Sequence, residues 1–534
     1  MINRGSRIFF RISILIVVFF TSNSIFAQKT SKIELEGANS LEYDKDIGPN
    51  VKRLIGDVRF KQEGTTLTCD SAYLFTDKNW VNAYGNVHIV SGGNNIYGDT
   101  LKYNGDSKIA ELLINVKMVD KQMTLTTNHL IYDLNSDVGN YNQGGKIIDK
   151  KNTLTSRKGY YFSKKKEFFF KDTVVLVNKD YIMRSDTLMY NTQTDVSYFY
   201  GPTTIVSKEN NIYCENGWYD TKKDISQFNK NAVFQNKEQT LKGDSLYYDR
   251  INGVGKAFKN VKIKDSVQKV VLTGEYAIYY EKKGNTLITD SAMLTKIMDK
   301  DSLFLHADTL RAIFDSTKTN KTLFAYKKAK FFKTDMQGLS DSIVYIYKDS
   351  IINLYKSPVL WTGANQLTAD TIKIFLGNNE IKQMNLYSSS FIVSRDDTSG
   401  YTIAKDKKII VDSLKFNQIK GKNIVGHFLK NELKLINVYG NGETIYIVKE
   451  SSGATIGINK AESAEMKIVL TDNQIQKITF ISQPIAILYP EKDLAKNERF
   501  LKDFIWYSSF RPENKKEIFN WAPLKPVINT ETSK

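Results

Sequence analysis

Apolar and polar residues alternate with a period of two along most of the chain, and short turn-forming clusters interrupt the alternation. These clusters include SGGNN, NGDSK, NTQTD, TKKD and EKKGN. The pattern is typical of short antiparallel strands joined by hairpins. The composition agrees with it, because the chain contains 30 tyrosines and 29 phenylalanines but only 8 prolines. The pattern therefore predicts an all-β fold.

An eight-residue pattern, here called the octet, recurs at a near-constant interval. It reads YGDTLKYN at 97–104, RSDTLMYN at 184–191 and KGDSLYYD at 242–249. Copies aligned on the acidic residue follow one another about every 29 residues. The second residue after the acid is usually apolar, and the fourth is usually aromatic. Internal repeats of this length indicate stacked units that share one core.

A second element lies between successive octets, as in YGNVHI at 84–89 and KNVKIK at 259–264. Each copy places a turn-prone residue before alternating apolar residues, so each repeat contains about two strands joined by hairpins. A two-stranded unit cannot bury its apolar face alone. The sequence therefore predicts a repetitive antiparallel β-solenoid rather than several unrelated domains.

These elements resemble the OstA-like family of exported lipopolysaccharide-transport proteins, which includes LptA and the N-terminal domain of LptD. The stretch NAYGNVHIVSGGNNIYGDTLKYN at 82–104 is the best example. The resemblance is best over 50–290 and recurs over 286–420. It implies a jelly-roll or taco-shaped β-solenoid whose inner groove holds the acyl chains of lipopolysaccharide. The chain has far more repeats than the family's bridge protein, so one continuous solenoid and two fused modules both stay open.

The resemblance also implies partners and a location. We expect a non-catalytic periplasmic carrier that relays lipopolysaccharide to the outer membrane, together with other lipopolysaccharide-transport proteins at both membranes. End-to-end association of copies and association with the outer membrane are further expectations. We expect no cofactor and no metal. We also expect no nucleic acid as a partner, because the positive charge is spread along the chain rather than clustered.

The inward octet positions are the candidate lining of the lipid groove. They are Leu101, Tyr103, Leu130, Tyr132, Leu188, Tyr190, Leu246 and Tyr248. A bare acyl chain of a dozen carbons costs roughly 10 kcal/mol in water, so a continuous apolar slot would favour transfer. Ordinary core packing is the alternative for each residue, because a groove and a core look alike in sequence.

The acidic residue of the octet is followed by serine or threonine in many copies. Such side chains bond to nearby backbone N–H groups and favour bends. We therefore interpret the acidic series as a bend or edge device. A calcium ladder is the alternative, although the Gly-rich nonapeptides of calcium-binding β-helices are missing.

The chain begins with the features of a secretory signal peptide, with cleavage expected after Ala27. Arg4, Arg7 and Arg11 precede a short apolar run that is too short to span a bilayer. Removal of residues 1–27 would lower the formal charge from +17 to +14, because this segment contains three arginines and no acid.

Three other classes of protein share parts of this pattern. An outer-membrane barrel or translocon protein would also alternate, but many outward positions are Lys, Asp or Asn, which lipid disfavours. A β-helix polysaccharide enzyme would need a catalytic constellation, and no HExxH, GxSxG or P-loop motif appears. A scaffold or adhesin solenoid would share every repeat feature but bind no lipid.

The two cysteines, Cys69 and Cys214, lie five periods of 29 residues apart and precede the repeat acid. Five strand spacings already exceed the roughly 7 Å that a disulfide allows between Cα atoms. The spacing predicts two free thiols, whereas pairing is the default for an exported protein.

The C-terminal region differs from the repeats. Leu494, Leu501, Phe504 and Ile505 fall on one face of a helix that Pro490 and Pro512 would bracket. We expect a helical cap and tail at 491–534, which closes the solenoid or docks a partner. The remaining expected divisions are a signal peptide at 1–27 and two solenoid parts at 28–285 and 286–490.

Overall fold

The computed structural model describes residues 31–43, 46–120, 123–149, 151–298, 301–315, 320–378, 380–396, 415–471 and 474–524. The predicted signal peptide lies outside these residues. The chain divides into two compact units, one ending at Gly139 and the other beginning at Asn140. The predicted boundary between residues 285 and 286 stays a prediction. No helix in the described residues has the length and apolar character needed to cross a membrane.

The first unit consists of antiparallel strands of 10–12 residues, preceded by two short ones. The strands are β1 (Glu34–Gly37), β2 (Ser40–Tyr43), β3 (Val51–Gln62), β4 (Thr65–Phe75), β5 (Trp80–Ser91), β6 (Asn94–Asn104), β7 (Ile109–Val119) and β8 (Thr124–Asp133). β9 (Val138–Tyr141) spans the boundary between the units. From β3 to β8, each strand pairs with the next one in the chain.

The second unit continues the antiparallel pattern. Its strands are β10 (Gly145–Ile148), β11 (Asn152–Ser156), β12 (Lys158–Phe162), β13 (Glu167–Asn178), β14 (Tyr181–Asn191), β15 (Val196–Ser207), β16 (Asn211–Asp220), β17 (Ile225–Gln235), β18 (Gln239–Asp249), β19 (Val254–Asp265), β20 (Val270–Tyr280), β21 (Asn285–Thr289), β22 (Met293–Ile297), β23 (Ser302–His306), β24 (Thr309–Phe314), β25 (Lys321–Lys333), β26 (Met336–Ile346), β27 (Ile351–Tyr355), β28 (Val359–Thr362), β29 (Asn365–Thr368), β30 (Thr371–Gly377), β31 (Glu380–Arg395), β32 (Phe416–Leu429), β33 (Glu432–Lys449), β34 (Thr455–Thr471), β35 (Gln474–Ile481) and β36 (Ile485–Tyr489). The predicted all-β repetitive antiparallel fold is confirmed.

Most long strands bend at a β-bulge, which resets the alternation of buried and exposed residues. In the first unit the register shifts between Ile55 and Val58 and between Tyr84 and Val87. Turn-prone residues with positive φ occupy these bulges, such as Asn86 at 45°. A bulge bends its strand and increases the local twist. Each bulged strand therefore has two straight segments, one on either side of the bulge, which are here called its legs. The bulges explain why the second sequence element contains a turn-prone residue.

The two legs have inner faces with different side chains. The tyrosine leg carries the inner aromatic residues of the octet, such as Tyr103 on β6. The aliphatic leg lies on the other side of the bulge and carries residues such as Ile96 of the same strand. In the first unit the inner faces of the legs pack against each other, because Gln62 on the aliphatic leg bonds to Tyr103 (2.5 Å) and to the Gly105 carbonyl (2.8 Å). This packing forms a closed core.

The C-terminal segment differs from the predicted helix. Residues 490–524, here called the C-terminal strap, contain only short 3₁₀ turns at Lys496–Arg499, Ser508–Phe510 and Glu517–Phe519 among otherwise irregular backbone. The predicted apolar residues do pack, since Leu494 and Leu501 are buried in one cluster with residues of β31 to β34. The helical spacing was therefore a guide to burial but not to backbone conformation.

Glutamine side chains of the sheet explain why the strap is not a continuous helix. Gln418 donates to the carbonyl of Arg499 (2.8 Å) and accepts from the N–H of Leu501 (2.9 Å). Gln366 likewise donates to the carbonyl of Ile505 (2.8 Å) and accepts from the N–H of Tyr507 (2.7 Å). Backbone groups need partners when buried. Because side chains of the sheet supply these partners, the strap does not need helical hydrogen bonds there.

The strap covers the outer face of the sheet. It packs on Leu339, Val359 and Trp361 through Tyr507, Phe510, Trp521 and Leu524. Leu360 lies between two of these residues and therefore points to the opposite face. The cross-strand register connects Leu360 to the inner side chains of the strands before it. Strands β26 and β28 are thus covered on both faces.

Candidate functional site

The inner face of the aliphatic leg stays partly exposed in the first part of the second unit. One cross-strand row contains Ile205, Ile212, Phe234, Leu241, Ile263 and Leu272, each directly opposite the next. Every member of this row is half-buried. The residues before and after Ile263 are exposed lysines, so the row faces inward while its neighbours face solvent. An inward apolar row that is not covered defines an open groove.

The corresponding row of the first unit is fully buried. It contains Phe60, Leu67, Ile89, Ile96, Met118 and Leu125, each at most 4% exposed. These residues occupy the same position after the bulge as the groove row does. The first unit therefore uses the row as a core, whereas the second unit uses it as the wall of a groove from Ile205 to Leu272.

The tyrosine leg forms the other wall of the groove. A cross-strand row alternates large and small residues: Tyr190, Ser197, Tyr219, Ser226, Tyr248, Gly255 and Tyr279. A ring on every second strand repeats about every 9.6 Å, because neighbouring strands lie about 4.8 Å apart. The small residues are covered, since Ser197 and Ser226 are each only 8% exposed. The wall therefore presents a regular series of tyrosine rings.

The tyrosine hydroxyls bond to carboxylates in the adjacent turns. Tyr219 donates to Asp224 (2.7 Å) and Tyr248 donates to Glu281 (2.9 Å). Tyr190 donates to Asp195 in the same way (3.0 Å). Burial, followed by the neighbouring carboxylate, raises the pKa of Tyr248 to about 12 and raises the pKa of Tyr219 as well. These hydroxyls stay protonated and can donate throughout the physiological range.

The predicted site residues fall into two environments. Leu101, Tyr103, Leu130 and Tyr132 are buried in the closed core of the first unit. Leu188 and Leu246 form the buried floor of the groove beside the bulges, while Tyr190 and Tyr248 are half-buried in its wall. The structure brings the second four together along the groove. Whether they contact lipid stays a prediction.

Sequence reasoning did not select the aliphatic wall. Phe234 and Ile263 belong to the second sequence element, in KNAVFQ and KNVKIK. The second element predicts a strand, but it does not by itself assign its inner residues to the groove. The alternation of apolar and polar residues after the bulge is the feature that could have placed Phe234 and Ile263 on the inner face.

The octet acids support the bends. Asn86 donates its side-chain amide to Asp70 (2.9 Å), and Asn115 donates to Asp99 (2.6 Å). In the second unit, Asn260 donates to Asp244 (3.1 Å). Each asparagine occupies a bulge on the strand that follows the octet. These octet acids therefore do support bends, but they accept from asparagine side chains at the bulges rather than from nearby backbone N–H groups as expected.

Other candidate chemistry is sparse in the described part of the chain. It contains no group of three or more His, Cys, Asp or Glu residues placed to hold a metal ion. Both Cys69 and Cys214 are free and buried, as the repeat spacing predicts. Burial raises the pKa of Cys69 to about 12 and that of Cys214 to about 11. These thiols are protonated at neutral pH and lack the character of nucleophiles.

The mouth of the groove is bridged beyond β20. Lys321, at the start of β25, donates to the side chain of Gln268 in the turn between β19 and β20. This contact joins the two legs across the mouth. Burial lowers the pKa of Lys321. The open part of the groove therefore ends near this bridge.

The fold and the groove define a class of all-β proteins in which a bulged strand repeats and an apolar groove runs along the repeats. Residues 30–186, 183–244 and 211–296 match the model of the OstA-like protein family. These segments together cover half of the chain, and the chain belongs to the OstA-like family.

Two further comparisons add little to this assignment. No curated protein sequence matches the chain. Among solved structures, the chain is similar to that of LptH from Pseudomonas aeruginosa, described as the LptA homologous periplasmic component of the lipopolysaccharide transport device. The match has 17% identity and covers 31% of this chain and 80% of LptH. Its TM-score of 0.10 is too low to support a conclusion about this chain.

Proposed function

We propose that this protein is a non-catalytic periplasmic carrier that binds the acyl chains of lipopolysaccharide in the groove of residues 181–280 and relays them toward the outer membrane. The observation that carries this proposal is the half-buried apolar row of the aliphatic leg. Apolar area removed from water is worth roughly 25 cal/mol per Å². The row therefore offers an acyl chain a favourable surface that the closed first unit does not offer.

The repetition suits movement along the groove. Equivalent side chains recur in the same cross-strand row, so neighbouring positions present similar apolar surfaces. A chain that shifts by one repeat exchanges one contact set for a similar one, and no single position holds it strongly. Membership of the OstA-like family supports the same function.

The last strands support association with another β-protein at this end. Among the described residues, β35 and β36 pair only with β34. Ile485 and Ile487 on β36 are 63% and 48% exposed. An unpaired apolar edge is a template for strand addition. A second copy or another transport protein would cover this edge.

Site-specific photocrosslinking tests the groove. A photoreactive residue at position 234 or 263 should crosslink to lipopolysaccharide in cells, because both side chains face the open groove. The matched control is position 262, which lies on the outer face of the same strand as Ile263. Equal crosslinking from 262 and 263, or none from 234 and 263 in a folded and exported protein, would contradict the proposal.

A further inference from the structure

Five consecutive turns form one continuous edge above the tyrosine row, here called the tyrosine lip. They are residues 163–166, 192–195, 221–224, 250–253 and 281–284. Backbone hydrogen bonds link each turn to the next. The donors are the N–H groups of the later turn and the acceptors are the carbonyls of the earlier one: Thr192 to Lys166 (2.9 Å), Thr221 to Asp195 (3.1 Å), Arg250 to Asp224 (3.1 Å) and Glu281 to Gly253 (2.8 Å). The lip is therefore a fixed edge rather than a set of separate loops.

The tyrosine lip carries more positive charge than the opposite lip. Its five turns contain eight basic and three acidic residues, a net formal charge of +5. The opposite lip consists of the turns that contain residues 149 and 151, 179–180, 208–210, 236–238 and 266–269, and these described residues include five basic and four acidic ones, a net charge of +1. The three acids of the tyrosine lip are the acceptors of the tyrosine hydroxyls.

Two lysines are held along the tyrosine lip by contacts to the preceding turn. Lys222 donates to the Gln193 carbonyl (3.0 Å) and lies 3.3 Å from Asp195. Lys282 donates to the Ile251 carbonyl (2.7 Å). An ammonium group has three donors, so each retains capacity for a further acceptor. Lys223 and Lys283 lie beside them in the same turns and are exposed.

The two walls also differ in polarity at the mouth. The tyrosine wall ends in a row of hydroxyls, and tyrosine suits a boundary where one end is apolar and the other is wet. The aliphatic wall ends mainly in small or neutral residues, such as Ser207, Asn236 and Gln239. An amphipathic lipid in the groove would meet aromatic hydroxyls on one side only, and the larger excess of positive charge lies on that same side.

We infer that the phosphate groups of a bound glycolipid headgroup lie on the tyrosine lip, where Lys222, Lys223, Lys282 and Lys283 contact them. This inference rests on the proposed lipid-binding function and adds the orientation of the lipid. The acyl chains extend from the lip toward the half-buried aliphatic row. The opposite lip then faces the far side of the chains and makes no contact with phosphate.

Two charge-matched variants test the orientation in the full-length protein. The first replaces Lys222, Lys223, Lys282 and Lys283 with glutamine. The control replaces Lys179, Lys208, Lys237 and Lys269 of the opposite lip with glutamine. Both remove four positive charges from turns, so nonspecific electrostatic attraction falls equally in the two proteins. Thermal melting checks that both variants fold like the wild type.

The probes are purified lipid A with both phosphates and the same lipid after enzymatic dephosphorylation. We expect the first variant to bind the phosphorylated lipid about tenfold more weakly, since several exposed charge contacts are lost together. The control should stay within about twofold of the wild type. The dephosphorylated lipid should bind all three proteins alike. Added salt should weaken phosphorylated-lipid binding less in the first variant than in the wild type.

Wild-type affinity of the first variant for the phosphorylated lipid, or an equal loss in the control, overturns the orientation while leaving acyl binding in place. A larger loss in the control assigns the phosphates to the opposite lip. If the wild type binds neither lipid, the proposed function itself fails.

Discussion

In residues 51–133 the inner apolar side chains are buried in a closed core, whereas the aliphatic row from Ile205 to Leu272 stays half-exposed at the same repeat positions. The difference correlates with the partners of the inner tyrosines. Tyr103 bonds across to Gln62 on the opposite leg (2.5 Å), but Tyr219 bonds to Asp224 in the turn of its own leg (2.7 Å). A tyrosine that bonds across the mouth helps to close the legs, and one that bonds along its own lip leaves them apart.

Tyr132 of the first unit repeats the closing arrangement, since Asn94 donates to its hydroxyl (2.9 Å). Tyr190 and Tyr248 repeat the open one. The comparison teaches that one repeat sequence builds either a core or a groove, according to the polar residue that its tyrosine meets.

Deletion of residues 490–534 should have the largest effect, because it uncovers an apolar outer face. Strand β19 carries exposed Lys262 and Lys264 on its outer face, but the strap covers Val359 and Trp361 on β28. We expect the truncated protein to aggregate, measured by light scattering. Deletion of 525–534 alone is the control and should leave the protein soluble. A soluble monomer after the longer deletion would show that the strap does not protect this face.

Leu101→Ala should destabilise the first unit by about 2–5 kcal/mol, because it leaves a cavity in a closed core. Ile263→Ala should cost less, since half of the removed surface already meets water. Hydrogen exchange resolved by peptide measures the two effects in their own regions. Equal losses of protection at both sites would show that the groove is packed like the core.

Tyr103→Phe should cost about 1–3 kcal/mol, since it leaves the buried side chain of Gln62 short of one partner. Tyr219→Phe should cost less, because its half-exposed partner Asp224 can turn to water. Peptide-resolved hydrogen exchange near residues 60–67 and 219–228 compares them. A larger effect of Tyr219→Phe would contradict the view that only the first tyrosine closes its legs.

The two thiols should be the least reactive groups in the folded protein. Both folded-state pKa values, about 12 for Cys69 and about 11 for Cys214, exceed the unfolded value of about 8.5. The raised pKa values stabilise the fold fully below pH 8.5, and this contribution is lost as the pH rises toward 11–12. Iodoacetamide at pH 8 should therefore modify neither thiol before unfolding and both in urea. Rapid modification of Cys214 alone in the native protein would show that its region opens more readily.

The repeat and its strands were accessible from the sequence, because a side-chain period of two and a spacing of about 29 residues depend only on local order. The acid of the octet was also interpretable, since an acid such as Asp70 acts on a bend only 16 residues away, at Asn86. The backbone conformation of the C-terminal strap could not be predicted from local sequence, because Gln366 and Gln418, which bond to its backbone, lie more than 80 residues earlier in the chain.

The alternation of side chains and the repeat spacing are enough to predict bent antiparallel strands with an apolar inner face. Where that face closes and where it stays open depends on contacts between residues that are distant in the sequence. Tyr103 and Tyr219 occupy the same octet position, and the residue five places later is Lys108 in one repeat and Asp224 in the other. This local difference does not decide between core and groove, because Asp137 stands at the same place after Tyr132, which is buried in the closed core. The distinction depends on whether the opposite leg supplies a hydrogen-bonding partner, as Gln62 does, and this requires the two legs to meet in space.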